Sequence, residues 1–564
     1  MTPGPPGPAR DAPATSRRFP ADLLPAAACV AVGLAMALLP NALWWARTGR
    51  PTWIADGDEL YYLAVGKGAY FEHIGYLSDP VVDGGASLYR QLPLLPGSWM
   101  ARALGAGPLG IDLCWRALAG LGVALTWFVL LRHHVGRRWV AALLTVIVLV
   151  DCGLLGASLL LRQGVTLAET LRRGTGTAPV ARLIHRPWRI ATPALTMPYL
   201  LLHLWLMARA RARPSPARLV LAGAGFGLLF HVYPYYWTAA AVALAMAFVL
   251  DAGHRRVYAA AALVGVPIGL PRVVFDVMLK RSTAPDWLAR FGKFVTVGRF
   301  EGLDVPKFAA LLAVLGLAWV WARRRDLIYV WSLGAAGLAL YHHQVVTRLQ
   351  VENYHYMYVW GPCLALLLAL WVADVLPARG PAARAGLAGL ALVALADAGA
   401  GLWLRSIEAF HASQAPAITD ACRRYREQRA AGLRLEPRSV VAGDLMFVDL
   451  ACILDDLRPL DNYWVLLSPY ISDPELDRRA ALNDLLRGLG PPADPAPPGS
   501  RRARRLAAYE AAAADLDAAT ARAGVRYVAL PADRPPPACL TRGWRLLQDG
   551  PSWRIWEYER APAR

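Results

Sequence analysis

Residues 217–251 read ARLVLAGAGFGLLFHVYPYYWTAAAVALAMAFVLD, a run without an acidic residue until Asp251. As one α-helix it would be about 50 Å long, whereas a bilayer core of about 30 Å takes about 20 apolar residues per span. Pro234, in Tyr233-Pro234-Tyr235-Tyr236, has no backbone N–H and cannot continue a helical ladder. The run therefore reads as two short spans, 217–233 and 234–251, forming a tight hairpin. Arg213 and Arg218 at its start and Arg255 and Arg256 past its end place both ends on one side of a membrane.

The same criterion extends outward along the chain. Further apolar segments lie near 23–46, 109–131, 139–160, 191–208, 257–279, 305–322, 327–341, 355–376 and 385–404, making about eleven spans in all. The first is too long, and lacks the small-residue cleavage site, for a removed signal peptide, and reads as an anchor. The whole chain agrees: 56% of its 564 residues are hydrophobic and only 18% charged, too apolar for a soluble protein. Seven cysteines are too few for a disulfide-stapled scaffold.

The net charge of +19 is a topology signal before it is a sign of nucleic acid. With the N-terminus inside, the inner segments 1–22, 132–138, 209–218, 252–256, 323–326 and 377–384 hold 17 Arg in 56 residues. The outer loops 47–108, 161–190, 280–304 and 342–354 hold 17 Lys or Arg in 130 residues. That bias favours the inner side and puts everything after 404 outside. Three regions result: a disordered cytoplasmic stretch (1–22), a transmembrane domain (23–404) and an extracytoplasmic α/β domain (405–564). In the last, Ser439 to Ala442 and Val525 to Leu530 read as strands and Arg501 to Ala523 as helix. Its three cysteines, Cys422, Cys452 and Cys539, allow one disulfide at most.

The first outer loop opens with Trp53-Ile54-Ala55-Asp56-Gly57-Asp58-Glu59-Leu60-Tyr61-Tyr62. Three carboxylates within four positions repel one another and need a cation, an Arg or a proton to compensate them. They are candidates for metal ligation or a general base; the plain alternative is a solvated acidic loop. With this motif the chain resembles the GT-C glycosyltransferase superfamily, which includes protein mannosyltransferases, the catalytic subunit of oligosaccharyltransferase and lipid A aminoarabinose transferases. Asp56-Gly57-Asp58 matches its Asp-x-Asp form and Asp58-Glu59 its Asp-Glu form. The resemblance implies transfer of a sugar from a polyprenyl phosphate or pyrophosphate to an acceptor on the outer face. It makes Asp58 the acceptor base, with Asp56 and Glu59 assisting. Mg²⁺ or Mn²⁺ on Asp56 and Asp58 is the candidate cofactor.

Loop 161–190 carries Arg162, Arg172, Arg173, Arg182, Arg186 and Arg189 against one acid, Glu169, where few arginines are expected. Guanidinium binds phosphate through paired donors, so Arg162, Arg172 and Arg173 are candidates for the donor phosphate; lipid headgroups or the acids of loop one are the alternative partners. Tyr233 and Tyr235, at the hairpin's outer tip, are ordinary membrane-belt aromatics or an edge that grips sugar or lipid. In the link 342–354 and just beyond it, Arg348 and His355 are candidates to contact donor or acceptor. Adjacent His342 and His343 point about 100° apart on a helix and do not make a zinc site. Walker, dinucleotide and zincin motifs are absent.

The leading expectation is therefore a membrane glycosyltransferase, placed by its composition in a bacterial inner membrane. A transporter or flippase of an anionic lipid or solute is the alternative. Against it, the spans hold few acids, chiefly Asp112, Asp151, Asp276, Asp374 and Asp397, and polar groups gather at one surface rather than at the midplane. A noncatalytic membrane assembly protein is a third reading.

Overall fold

The structure is a computed structural model that describes residues 19–50, 52–54, 57–71, 77–82, 85–87, 91–150, 188, 193–290, 295–296, 298–299, 316, 319–350, 352–411, 415–491, 497 and 499–559. Its long helices are α1 (Phe19–Thr48), α2 (Gly57–Phe71), α3 (Gln91–Ala103), α4 (Gly110–His134), α5 (Arg138–Val150), α6 (Met197–Ala212), α7 (Pro216–Val232), α8 (Pro234–Leu250), α9 (Arg255–Ser282), α10 (Ile328–Tyr341), α11 (Met357–Val375) and α12 (Gly380–His411). Among the described residues five helical stretches are long and apolar enough to cross a membrane: Ala21–Thr48, Gly110–His134, Ala252–Ser282, Met357–Val375 and Gly380–Trp403. Arg138–Val150, Pro216–Val232 and Pro234–Leu250 are shorter apolar helices. Most of the segment expected at 305–322 lies outside the described residues.

The break at Pro234 is where the sequence requires it. Tyr233 is extended (φ −159°, ψ 129°) and Pro234 opens α8, the position at which its missing N–H costs nothing. The two arms run antiparallel. A short link joins α6 to α7, and Asp251, at the far end of α8, accepts from Arg211 Nε near the end of α6 at 2.8 Å and from Tyr258 of α9 at 2.8 Å. Other segments expected on the inner side also meet. Arg137 donates to the carbonyls of Leu376 and Pro377 at 3.1 and 2.7 Å, and Arg324 pairs with Asp374 at 2.9 Å.

Without a hydrophobic drive between helices in lipid, close backbone approach supplies the packing. A Cβ placed on Gly33 of α1 would lie 2.5 Å from the Gly120 oxygen of α4, so any side chain there pushes the two helices apart.

Beyond α12 come α13 (Ala415–Ala430), β1 (Val440–Gly443), α14 (Leu445–Leu454), β2 (Arg458–Pro459), α15 (Asp473–Leu486), α16 (Arg501–Ala514), β3 (Val525–Pro531), β4 (Trp544–Asp549) and β5 (Trp553–Tyr558). The sheet order is β2-β1-β3-β5-β4, with β1 parallel to β2 and β3, and β5 antiparallel to β3 and β4. The helix expected over Arg501 to Ala523 is two. Asp515 leaves helical geometry (φ −145°, ψ 80°) and caps a second helix, Leu516–Ala523, by accepting from Ala518 N at 3.0 Å. Gly443 has φ 111°, and a Cβ there would lie 1.9 Å from the Ala529 oxygen, so the β1–β3 contact requires glycine. Cys422, Cys452 and Cys539 are all free.

The C-terminal unit is not packed as a separate body. Leu60, Leu63 and Ala64 of α2, Leu95 of α3 and Trp115 of α4 share one core with Phe447, Ile453 and Trp464. The region of α2 and α3 is thus roofed by the C-terminal unit.

Candidate active site

The acidic motif forms the first turn of a helix. Gly57-Asp58-Glu59 opens α2, where carboxylates oppose the positive end of the helix dipole. The cation that compensates Glu59 comes from α4. Arg116, 1% exposed, donates from Nη2 to Glu59 Oε1 at 2.8 Å, and Glu59 is 3% exposed. The Nε edge of the same guanidinium meets Asp112 at 2.9 and 3.1 Å, one helical turn away. Asn41 of α1 adds a long contact to Asp112 at 3.4 Å, and the guanidinium lies 5.0 Å over the Trp53 ring. Asp112 is 2% exposed and Trp53 is fully buried.

Two carboxylates share one guanidinium beside Asp58. Asp58 itself is half-buried. The bond from Arg116 ties Glu59 to α4. Asp56 lies outside the described residues, as do Arg162, Arg172 and Arg173. Among the described residues no three His, Cys, Asp or Glu side chains converge as metal ligands.

The aromatic tip and the late link, about 120 positions apart in sequence, meet in space. The Tyr233 hydroxyl and His355 Nδ1 are hydrogen-bonded. Tyr235 stacks on the His355 ring, 4.9 Å between centroids and 25° between planes. His355 Nε2 lies 3.7 Å from Glu352. Tyr356 packs edge-on against Tyr235, and its hydroxyl is 3.2 Å from Thr238 Oγ1. Arg348, by contrast, is exposed on a left-handed turn (φ 56°) before the short strand Leu349–Gln350.

Two further groups escaped the sequence reading. Lys67 of α2 is 3% exposed and pairs with Asp456 at 3.0 Å. Asp79 is 6% exposed; its Oδ1 accepts from Val81 N and Val82 N at 2.9 Å each and from Ser468 at 3.3 Å. Burial nevertheless pushes the Asp79 carboxyl up to about 6. The Arg116–Asp112 pair did leave a trace in the sequence: an acid and a base four apart inside an apolar span.

Comparison with solved structures gives a match over nearly the whole chain. ArnT from Cupriavidus metallidurans, solved bound to undecaprenyl phosphate, aligns with a TM-score of 0.51 and 11% identity, covering 97% of this chain and 100% of that one. The chain has a GT-C-like fold. No family model matches the sequence, and no curated protein matches it. The GT-C-like fold and the apolar helices make this an integral membrane protein.

Proposed function

We propose that this protein is a membrane glycosyltransferase that moves a sugar from a polyprenyl phosphate to an acceptor hydroxyl on the outer face of a bacterial inner membrane. The observation that carries the reading is the acidic turn at the start of α2, held by Arg116, within a fold shared with an undecaprenyl phosphate-bound protein. The fold likeness supports the class; donor, acceptor and residue roles are this reading's own.

In it, the carboxylate of Asp58 takes the proton of the acceptor hydroxyl as that oxygen attacks the anomeric carbon. The bond from that carbon to the phosphate oxygen breaks, its electron pair leaves with the phosphate, and configuration inverts. A base at this point contributes about 10²–10⁴-fold. Arg162, Arg172 and Arg173 neutralise the phosphate as charge develops on it. Tyr233, Tyr235 and His355 form a ring-stacking surface for sugar or acceptor, and Arg348 reaches the substrate from the neighbouring link. Glu59 fixes the turn through Arg116. Asp56 orients the acceptor or holds Mg²⁺ or Mn²⁺; an Asp56→Asn defect relieved by added Mn²⁺ would identify it as a ligand.

The test is reconstitution of wild type and Asp58→Asn in liposomes with a panel of undecaprenyl phosphate-linked sugars. Wild type should transfer sugar, and the variant should turn over about 10²–10⁴-fold more slowly with donor binding little changed. Solute or lipid movement by wild type without any transfer would select the transporter instead. The orientation has its own check: cysteine at exposed Arg423 should react with an impermeant reagent added outside, and cysteine at exposed Arg256 should not.

A further inference from the structure

We infer that Lys67 is a positioning residue through which the C-terminal unit holds the acidic turn of α2 in its working place; this rests on the proposed role of Asp58. Lys67 lies nine residues after Asp58 on the same helix, about 14 Å along its axis. An ammonium has three donors and no acceptor, and all three find partners. Nζ donates to the carbonyls of Cys452 and Leu457 at 2.6 and 2.9 Å and pairs with Asp456 Oδ1 at 3.0 Å.

The place of these acceptors matters. Cys452 is in the last turn of α14, where carbonyls have no intrahelical partner and the helix dipole is negative. Asp456 holds a left-handed backbone (φ 56°), and its own carbonyl accepts from Arg438 N at 2.7 Å. The C-terminal unit therefore presents an acceptor set shaped around one cation, and the cation comes from the helix that carries the acids.

α2 is consequently clamped at both ends. Glu59 binds Arg116 of the membrane helix α4, and Lys67 binds the end of α14 in the C-terminal unit. Any displacement of α14 along its axis pulls on α2, and with it on Asp58. A misplacement on the order of 1 Å at a reacting group is enough to cost about 10² in rate.

A lysine that merely stabilised the fold would give a different result in the double variant Lys67→Met with Asp456→Asn. Each single change leaves a charge unpaired and lowers the thermal midpoint. The double change removes both charges, and the midpoint returns towards wild type. Positioning predicts that kcat for release of undecaprenyl phosphate from its sugar-linked forms, in liposomes containing total membrane lipid extract, stays about 10- to 100-fold low. Donor KM should stay within about twofold of wild type. Recovery of kcat along with stability overturns the inference. If wild type itself releases no undecaprenyl phosphate, the proposed function fails, and amide hydrogen exchange of the full chain decides the clamp alone. Exchange at Gly57 to Leu60 about tenfold faster in the double variant supports it, and unchanged exchange there overturns it.

Discussion

Arg116 of α4 reaches Glu59 of α2 at 2.8 Å while its other edge holds Asp112, and none of the three side chains is more than 3% exposed. Truncating the cation takes the guanidinium from two buried carboxylates, and breaking such a buried pair typically costs about 3–5 kcal/mol. Arg116→Met should therefore lower stability in detergent by that order, as read by denaturant or thermal unfolding. Glu59→Gln should cost less, since its amide oxygen still accepts from the guanidinium. An Arg116→Met protein as stable as wild type would mean that the pair contributes nothing to holding α2.

That relationship also shows how far the sequence could be read. Pro234 and the flanking arginines were sufficient to define the hairpin, because a missing N–H and a charge cost at a membrane are local facts. The need for a cation beside the acids was legible too, but not its source, since nothing in the spacing says that α4 turns Arg116 towards residue 59. The contact of His355 with Tyr233 and Tyr235 spans two links whose meeting depends on how α8 and α11 pack. Lys67 gave no signal, because a lysine in a polar loop looks the same whether it is solvated or seated on a helix end. The continuous core between α2 and α14 was hidden for a similar reason: a run of apolar residues declares burial without naming its partner.

Asp79 provides a prediction in pH. Burial raises its carboxyl from 3.8 to about 6, so the folded protein holds that proton more tightly than the unfolded chain does. The associated stability is complete below about pH 4 and is lost as pH rises through about 6. Asp79→Asn keeps an oxygen for the Val81 and Val82 amides without the buried charge. It should stabilise the protein above pH 7, by up to about 3 kcal/mol, and flatten the stability profile between pH 4 and 6. Loss of stability at pH 8 in that variant would show that the ionised carboxylate is the favoured form.

The arginines of the second outer loop are predicted to act on binding. Arg162→Ala or Arg172→Ala should weaken donor affinity by about 1.5–3 kcal/mol, the range for a hydrogen bond to a charged group, with less effect on the chemical step. Lysine should restore only part, because a point charge replaces a bidentate fork. Titration with undecaprenyl phosphate measures this directly; wild-type affinity in both alanine variants would move the phosphate site to another loop, with Arg348 the next candidate.

The Tyr233–Tyr235–His355 group separates substrate contact from a role in the membrane belt. The Tyr233 hydroxyl engages His355 Nδ1, which leaves Nε2 on the side of Glu352. Tyr233→Phe removes one hydrogen bond, worth about 0.5–1.5 kcal/mol, and loosens the hold on Nδ1. Tyr235→Leu keeps apolar bulk but removes the ring stacked on the imidazole, a pair worth about 0.5–1.5 kcal/mol. If the group contacts substrate, each change should raise KM about 2- to 10-fold, with kcat much less affected than in Asp58→Asn. Belt residues would behave otherwise, because leucine and phenylalanine both sit well at the bilayer surface and neither substitution would move KM. Measuring both constants for the two variants in one lipid composition decides between them, and unchanged KM in both would remove this surface from the substrate path and leave it a packing element of α8 and α11.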